Sequence, residues 1–276
     1  MIIKEMGLSM KKRISFLLAI LMILLCVTPV FATEESDDIA AMCEYLKEQN
    51  VPEAFLFAAS TNTIESLYDD FIQKGATVAG YSAETGQLEN HTVLPSARLA
   101  SIPDADFSMQ LLITRTSDSG LDTFSLRIIY SWLDDDTTSQ TKNPFYRLKQ
   151  DGLMVNWNYN YLTYDENTFV YWGYAKNPST NKSFCYTTTT NLAKAPQGGI
   201  WVMFDLNRDG YLYLSGEMRL DLIETASAPG SGATNISVEY AHAHVVWSNI
   251  TVGVSATGAT FSGTYKSRAV SRTVTL

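Results

Sequence analysis

Apolar and polar side chains alternate with a period of two residues over most of the chain. Phe107 and Met109, for example, alternate with Ser108 and Gln110. Extended backbone points neighbouring side chains to opposite faces, so this alternation predicts strands that bury one face. No helical period returns after Gly75, and a parallel sheet would need helices between its strands. The chain is therefore predicted to be mainly β and to form an antiparallel β-sandwich.

Turn residues between the alternating stretches predict three hairpins. Clusters such as Ser117-Asp118-Ser119-Gly120 are rich in the residues that tight turns select. The first hairpin pairs 107–113 with 124–132, the second joins 153–162 to 169–174 through 163–167, and the third turns at 207–210 before strand 211–222.

The chain before Gly75 has the 3.6-residue period of helices instead. Residues 39–50 and 64–72 each place apolar side chains on one face, which predicts two small amphipathic helices. Asn62 is a candidate N-cap of the second helix, and Gly75 is placed to end it. The apolar run Phe55–Ala59 between them is short enough to be a strand.

The N-terminus has the composition of a secretory leader. Lys11-Lys12-Arg13 precedes the apolar run 16–27, and small residues lead up to Ala32. This arrangement predicts a signal peptide over residues 1–32, cleaved after Ala32, with the compact Lys-rich start of a bacterial leader. The apolar run is too short to span a bilayer, so we expect a secreted, extracellular protein.

Cleavage would leave a helical segment, 33–75, packed on a β-sandwich domain, 76–276. The full chain carries a net charge of −9, and loss of the basic leader makes it more acidic. A negative surface repels phosphate backbones, so no nucleic-acid partner is expected. No later apolar run reaches membrane-spanning length, so no integral membrane segment is expected in the mature chain.

Two cysteines remain after the predicted cleavage. Cys43 lies in the first predicted helix and Cys185 in a β stretch. An oxidising compartment would let them form a disulfide that joins the two regions. The alternative is two buried thiols that act as small apolar side chains.

One turn resembles the opening of a calcium loop. Asp205, Asn207 and Asp209 would present oxygen ligands at alternate positions before Gly210. The closing position holds Gly216 where a glutamate is needed, and tight hairpins select the same residue types. The turn interpretation is therefore favoured over a calcium site.

A second candidate metal site is a histidine pair. His242 and His244 are two residues apart, so on a strand both imidazoles share a face and could hold zinc. Neither has a third ligand nearby in sequence. The alternative is two packed histidines in an apolar setting, and no cofactor is expected.

Aromatic residues are concentrated between 153 and 174. Flat rings on an exposed sheet face bind glycans or peptides, whereas the same rings on the inner face form a core and would expose the asparagines between them. The candidate ligand-binding residues are Trp157, Tyr159, Tyr161, Tyr171 and Trp172.

Motifs for catalysis are missing from the sequence. It contains no Gly-x-Ser-x-Gly elbow, no His-Glu-x-x-His pair and no phosphate-binding glycine loop. Glu217 and Glu239 are strand carboxylates that could serve an acid–base mechanism, but solvated surface positions are expected for them. The favoured function is an extracellular module that binds an unknown carbohydrate or protein ligand.

Two other functions stay open. One is a secreted hydrolase with a carboxylate or histidine site. The other is a pore-forming or toxin-like protein, because 251–265 alternates Val and Ala with Thr, Ser and Gly as membrane hairpins do.

Overall fold

The structure is a computed structural model, and it describes most of the chain after the predicted leader. The residues it describes are 38–87, 89–92, 106–118, 120–132, 150–157, 162–176, 183–188, 192–194, 198–205, 207–208, 211–225, 233–242, 250–255 and 258–275. Antiparallel strands dominate these ranges, which confirms the predicted mainly β fold with helices near the N-terminus. The signal peptide predicted over 1–32 lies outside the described residues and stays a prediction.

Helices come first along the chain and strands follow. The helices are α1 at 38–48, α2 at Glu53–Ala58 and α3 at Thr61–Lys74. The described strands are β1 Thr77–Gln87, β2 Glu89–Thr92, β3 Asp106–Asp118, β4 Leu121–Trp132, β5 Gln150–Trp157, β6 Leu162–Lys176, β7 Ser183–Thr188, β8 Leu192–Lys194, β9 Gly199–Asp205, β10 Asn207–Arg208, β11 Tyr211–Glu224, β12 Ala233–His242, β13 Thr251–Ser255, β14 Gly258–Ser262 and β15 Thr264–Thr275.

Two sheets form the sandwich. Sheet A has the strand order β1-β3-β4-β11-β6-β7, and β10 adds to β11. Sheet B has the order β2-β15-β12-β5-β9-β8. Strands β13 and β14 form a separate hairpin.

The core lies between the two sheets, where every second side chain of the facing strands is buried. Tyr130 stacks on Phe107 and Phe204, and its Oη lies 2.6 Å from Tyr171 Oη. Gly216 faces Tyr130 across the neighbouring strand. A Cβ at Gly216 would lie 2.6 Å from that hydroxyl, so only glycine leaves room for the ring.

Further elements cover the outer face of each sheet. The β13–β14 hairpin packs Phe261 on Met154 of sheet B, and the Asn156 amide bonds both backbone groups of Ala259 at 3.1 Å. On the other side, α1, α2 and α3 pack on the outer face of sheet A. Their buried contacts with that sheet centre on Leu112 and Ile129.

The first predicted hairpin and both predicted helices are present. Strands β3 and β4 pair from Phe107↔Trp132 to Asp118↔Leu121, and α3 ends at Gly75 in the left-handed conformation with φ 63°. Two local details differ. The N-cap of α3 is Ser60 instead of Asn62, and Phe55–Ala59 is not a strand, since residues 53–58 form α2.

The second predicted hairpin is wrong. Strand β5 lies in sheet B and pairs with β12 and β9, whereas β6 lies in sheet A and pairs with β11 and β7. Residues 163–167, predicted as the turn, belong to β6. The alternation predicted the inward apolar side chains of strands such as β3 and β4, but it carries no information about which strand pairs with which.

Candidate functional site

The helices cover only part of the outer face of sheet A, and a groove opens where α2 ends its contact with the sheet. Its volume is about 690 Å³, within the range of ligand-binding clefts. One wall is α2, which contributes Glu53, Ala54, Phe57 and Ala58. Strands β3, β4, β11 and β6 form the floor.

A row of hydroxyl groups crosses the floor of the groove. Ser108 of β3 is opposite Ser131 of β4, Ser131 is opposite Ser215 of β11, and Ser215 is opposite Tyr174 of β6. All four side chains are half-buried and line the groove, but the Tyr174 hydroxyl oxygen is buried, so the hydroxyl row open to the groove consists of the three serines. Neighbouring strands are about 4.8 Å apart, so this hydroxyl row spans roughly 10 Å.

Phe57 stands at the wall of the groove with 93% of its surface exposed. In the short helix α2, Phe55 and Leu56 are buried against α1, α3 and the outer face of sheet A. Each helical residue rotates the side-chain direction by about 100°, so Phe57 cannot share that face. Aromatic side chains are enriched at binding sites relative to the rest of a protein surface.

Glu217 closes the inner end of the groove and holds the start of α3. Its carboxylate accepts hydrogen bonds from Ser60 N at 2.6 Å, from Ser60 Oγ at 2.7 Å and from Thr63 Oγ1. A carboxylate at a helix N-terminus is stabilised by the free backbone N–H groups and by the helix dipole. The expected solvated position is therefore wrong for Glu217, which is 4% exposed.

Glu53 at the outer end of the groove is paired as well. Its Oε1 lies 2.6 Å from Lys47 Nζ. The hydrogen bond and the charge of Lys47 lower the pKa of Glu53. Both groove carboxylates therefore have partners within the protein.

A buried ionic cluster fixes α3 on sheet A and so positions the helical side of the groove. The Asp70 carboxylate of α3 forms an ion pair with Arg127 of β4. Its Oδ2 lies 3.3 Å from Arg219 Nη2 of β11, and its Oδ1 lies 2.8 Å from Lys74 Nζ. Ser66 accepts a hydrogen bond from Arg219. Burial alone would raise the pKa of Asp70, but the three cations outweigh it and hold that pKa below its usual value.

The lowered pKa of Asp70 predicts acid-sensitive packing of α3. The folded state binds the ionised form more strongly than the unfolded state does, so the stabilisation is complete above the unfolded pKa of about 4 and is lost as pH falls through the lower folded pKa. We expect the unfolding free-energy difference between the wild type and Asp70→Asn to be constant from pH 7 to about pH 5 and to shrink below about pH 4. Urea titrations at a series of pH values measure it. A difference unchanged down to pH 2 would contradict this assignment.

His242, one of the two candidate zinc ligands, lies in the core between the sheets. Its Nδ1 is 2.9 Å from Asp151 Oδ1, and the two residues are 1% and 0% exposed. Tyr240 donates to the same carboxylate and accepts from Trp132 Nε1 at 3.1 Å. This core hydrogen-bond network joins three strands. His244 lies outside the described residues, so the zinc pair stays a prediction.

The aromatic candidates divide between the core and the outer face. Trp157 and Tyr171 are 5% and 1% exposed, so for these two the core alternative is correct and a glycan platform is not formed. Trp172 is half-buried on the outer face of sheet A, two residues from Tyr174. The predicted residues Tyr159 and Tyr161 lie outside the described residues.

The residues on both sides of Asp209 in the predicted calcium turn lie in paired antiparallel strands. Arg208 of β10 pairs with Tyr211 of β11, so two residues connect the strands. The side chains of Asp205 and Asn207, and all of Asp209, lie outside the described part, and calcium stays a prediction. Within the described side chains, no group of three His, Cys, Asp or Glu residues could hold a metal ion.

Cys43 is half-buried on α1, and burial raises the pKa of its thiol. The side chain of Cys185 is not described, so a disulfide between them stays a prediction. In the described ranges, no helix has the length and apolar character needed to cross a bilayer.

Reasoning from the sequence missed the groove. Its floor depends on the register that brings Ser108, Ser131 and Ser215 together from distant parts of the chain. One local signal was available. Phe55, Leu56 and Phe57 are consecutive, and neither a helix nor a strand can bury three neighbours against one surface.

No protein-family model matches the chain, and a comparison with curated proteins gives no significant match. Among solved structures, the chain is similar to ACE19, the collagen binding subdomain of the Enterococcus faecalis surface protein ACE. The identity is 8%, the TM-score is 0.29, and the match covers 58% of this chain and 88% of that one.

Two further solved structures are similar at the same level. One is described as a pore forming protein, with 9% identity, a TM-score of 0.25, and coverage of 71% of this chain and 90% of that chain. The other is Clostridium perfringens delta-toxin, with 8% identity, a TM-score of 0.20, and coverage of 72% and 92%. TM-scores and identities this low carry no argument about fold or function.

Proposed function

We propose that the protein is a secreted, non-enzymatic binding module that holds an extracellular ligand in the groove between α2 and sheet A. The leader-like N-terminus supports export. The observation that carries the proposal is Phe57, which is 93% exposed at the wall of a groove whose floor is lined with hydroxyl groups. An apolar anchor beside a few convergent polar groups is the usual composition of a ligand-binding cleft.

The state of the groove carboxylates supports binding over hydrolysis. A glycosidase needs one carboxyl group that donates a proton and a second that acts as base or nucleophile. Glu53 has a lowered pKa beside Lys47, which is the wrong direction for a proton donor. Glu217 accepts three hydrogen bonds from the start of α3, so the fold uses three of its roughly four lone-pair sites.

The histidine alternative for a hydrolase has no support from the described residues. Asp151 and His242 form a hydrogen-bonded pair of the kind that activates nucleophiles. Both are buried between the sheets, where Tyr240 and Trp132 join them in the core hydrogen-bond network. Such a pair specifies the packing of the core.

Phe57→Ser is expected to weaken ligand binding at least tenfold, because truncating an aromatic anchor removes the apolar contact of the groove. The purified protein would be screened against a glycan array and a phage-displayed peptide library, and the affinity of each hit would be measured by calorimetry. Ile72→Ser is the matched control. Ile72 is 53% exposed on α3 and does not line the groove, so its replacement should leave affinity unchanged.

If neither the glycan array nor the peptide library yields a ligand, the proposal is overturned. Hits that bind Phe57→Ser as tightly as the wild type would also overturn it, as would turnover of a bound glycan. Circular dichroism of the two variants shows whether the fold is retained. Phe57 is fully solvated and both changes replace an exposed apolar group with a hydroxyl, so we expect identical spectra.

A further inference from the structure

We infer that the ligand of the groove is a neutral oligosaccharide, with its sugar units along the hydroxyl row and one ring against Phe57. This inference rests on the proposed function and specifies the class of ligand. Three features of the described groove support it: its charge, the spacing of its hydroxyl groups, and the pairing of its floor strands on both sides.

The charge of the groove selects against anionic ligands. Among the described residues that line it, none is Lys, Arg or His. Glu53 and Glu217 are the charged residues of the lining, and both are bonded to other parts of the protein. A phosphate, sulfate or sialic acid would find no cation among these lining residues and would be repelled by a chain of net charge −9.

The spacing of the hydroxyl row fits a sugar chain. Ser108, Ser131 and Ser215 follow one another across three neighbouring strands at about 4.8 Å. That interval is close to the length of one pyranose unit in an extended glycan. Each unit could therefore present a hydroxyl group to the next strand, and hydroxyls both donate and accept hydrogen bonds.

The backbone of the floor disfavours an extended peptide. Peptides that bind sheets add to an edge strand, where backbone N–H and C=O groups are free. Strands β3, β4, β11 and β6 each have a paired neighbour on both sides in sheet A. The floor strands therefore have no free row of backbone N–H and C=O groups for a peptide. The groups that the groove presents to a ligand are side-chain hydroxyls and an aromatic face, and sugars bind to both.

The test is an array of neutral, sialylated and sulfated glycans, followed by calorimetry with a chain-length series of the strongest neutral hit. Affinity is expected to rise up to about three sugar units, because the row has three serine positions, and then to level off. It should change less than twofold between 50 and 500 mM salt, because screening acts on charges.

Row variants separate this inference from the proposed function. Ser131→Ala and Ser215→Ala should each weaken oligosaccharide binding by roughly two- to tenfold through loss of one hydrogen bond. The control is Ser237→Ala, a half-buried serine on the outer face of sheet B, which should leave binding unchanged. Peptide hits that depend on Phe57, with no neutral glycan bound, would overturn the oligosaccharide and keep the binding function. Preference for charged glycans, or neutral glycan binding unaffected by both row variants, would also overturn it.

Discussion

Asp70→Ala should destabilise the protein by about 3–5 kcal/mol, the usual cost of removing one partner from a buried ion pair. Arg127 is 2% exposed, and its charge is neutralised by Asp70. Without the carboxylate, Arg127 and Arg219 are left side by side beneath α3 with like charges. Urea unfolding at pH 7, followed by circular dichroism, measures the change.

The adjacent residue provides the control for Asp70. Asp69 is exposed, so Asp69→Ala removes the same charge and should cost less than about 0.5 kcal/mol. Replacing Arg127 with Met in the Asp70→Ala background should restore part of the lost stability, because no uncompensated buried charge remains. Equal effects of Asp69→Ala and Asp70→Ala would show that the buried cluster does not hold α3.

Asp151→Ala should cost about 3 kcal/mol or more. The carboxylate is fully buried and accepts hydrogen bonds from Tyr240 and from His242 Nδ1, and bonds to a charged acceptor contribute about 1.5–3 kcal/mol each. Its removal leaves both partners without an acceptor in the core. Differential scanning calorimetry gives the unfolding temperature and enthalpy of each variant.

Tyr240→Phe is the graded control for Asp151→Ala. It removes the bond that Tyr240 donates to Asp151 and the bond that it accepts from Trp132 Nε1. It keeps the ring in its contacts with Phe107 and Tyr130 and leaves the bond from His242 to Asp151, so we expect a smaller loss than for Asp151→Ala. A Tyr240→Phe variant less stable than Asp151→Ala would contradict the central position of the carboxylate in the network.

The fold class followed from the sequence because burial of one sheet face imposes a two-residue period. That period identified the inward side chains of β3, β4 and β11 correctly, from Phe107 to Leu222. It could not identify strand partners. Strands β5 and β6 are neighbours in sequence and lie in different sheets, because pairing depends on contacts between distant segments.

The candidate site was less accessible to sequence reasoning. Glu217 has the position of an outward strand residue, and only the helix packed above it turns that surface position into a buried one. The aromatic cluster misled for the opposite reason. Aromatic side chains serve cores and binding surfaces alike, so composition alone could not assign Trp157 and Tyr171 to the core.

Hydrogen exchange in the presence of the neutral oligosaccharide selected on the array tests most directly whether the groove beside α2 is where the ligand binds. Helix α2 has six residues, and two of them are buried, so its amides should exchange rapidly in the free protein. The account predicts that saturating ligand slows exchange in α2 and leaves the β13–β14 hairpin unchanged. Slower exchange in that hairpin, with α2 unaffected, would place the ligand on the opposite side of the sandwich and contradict the account.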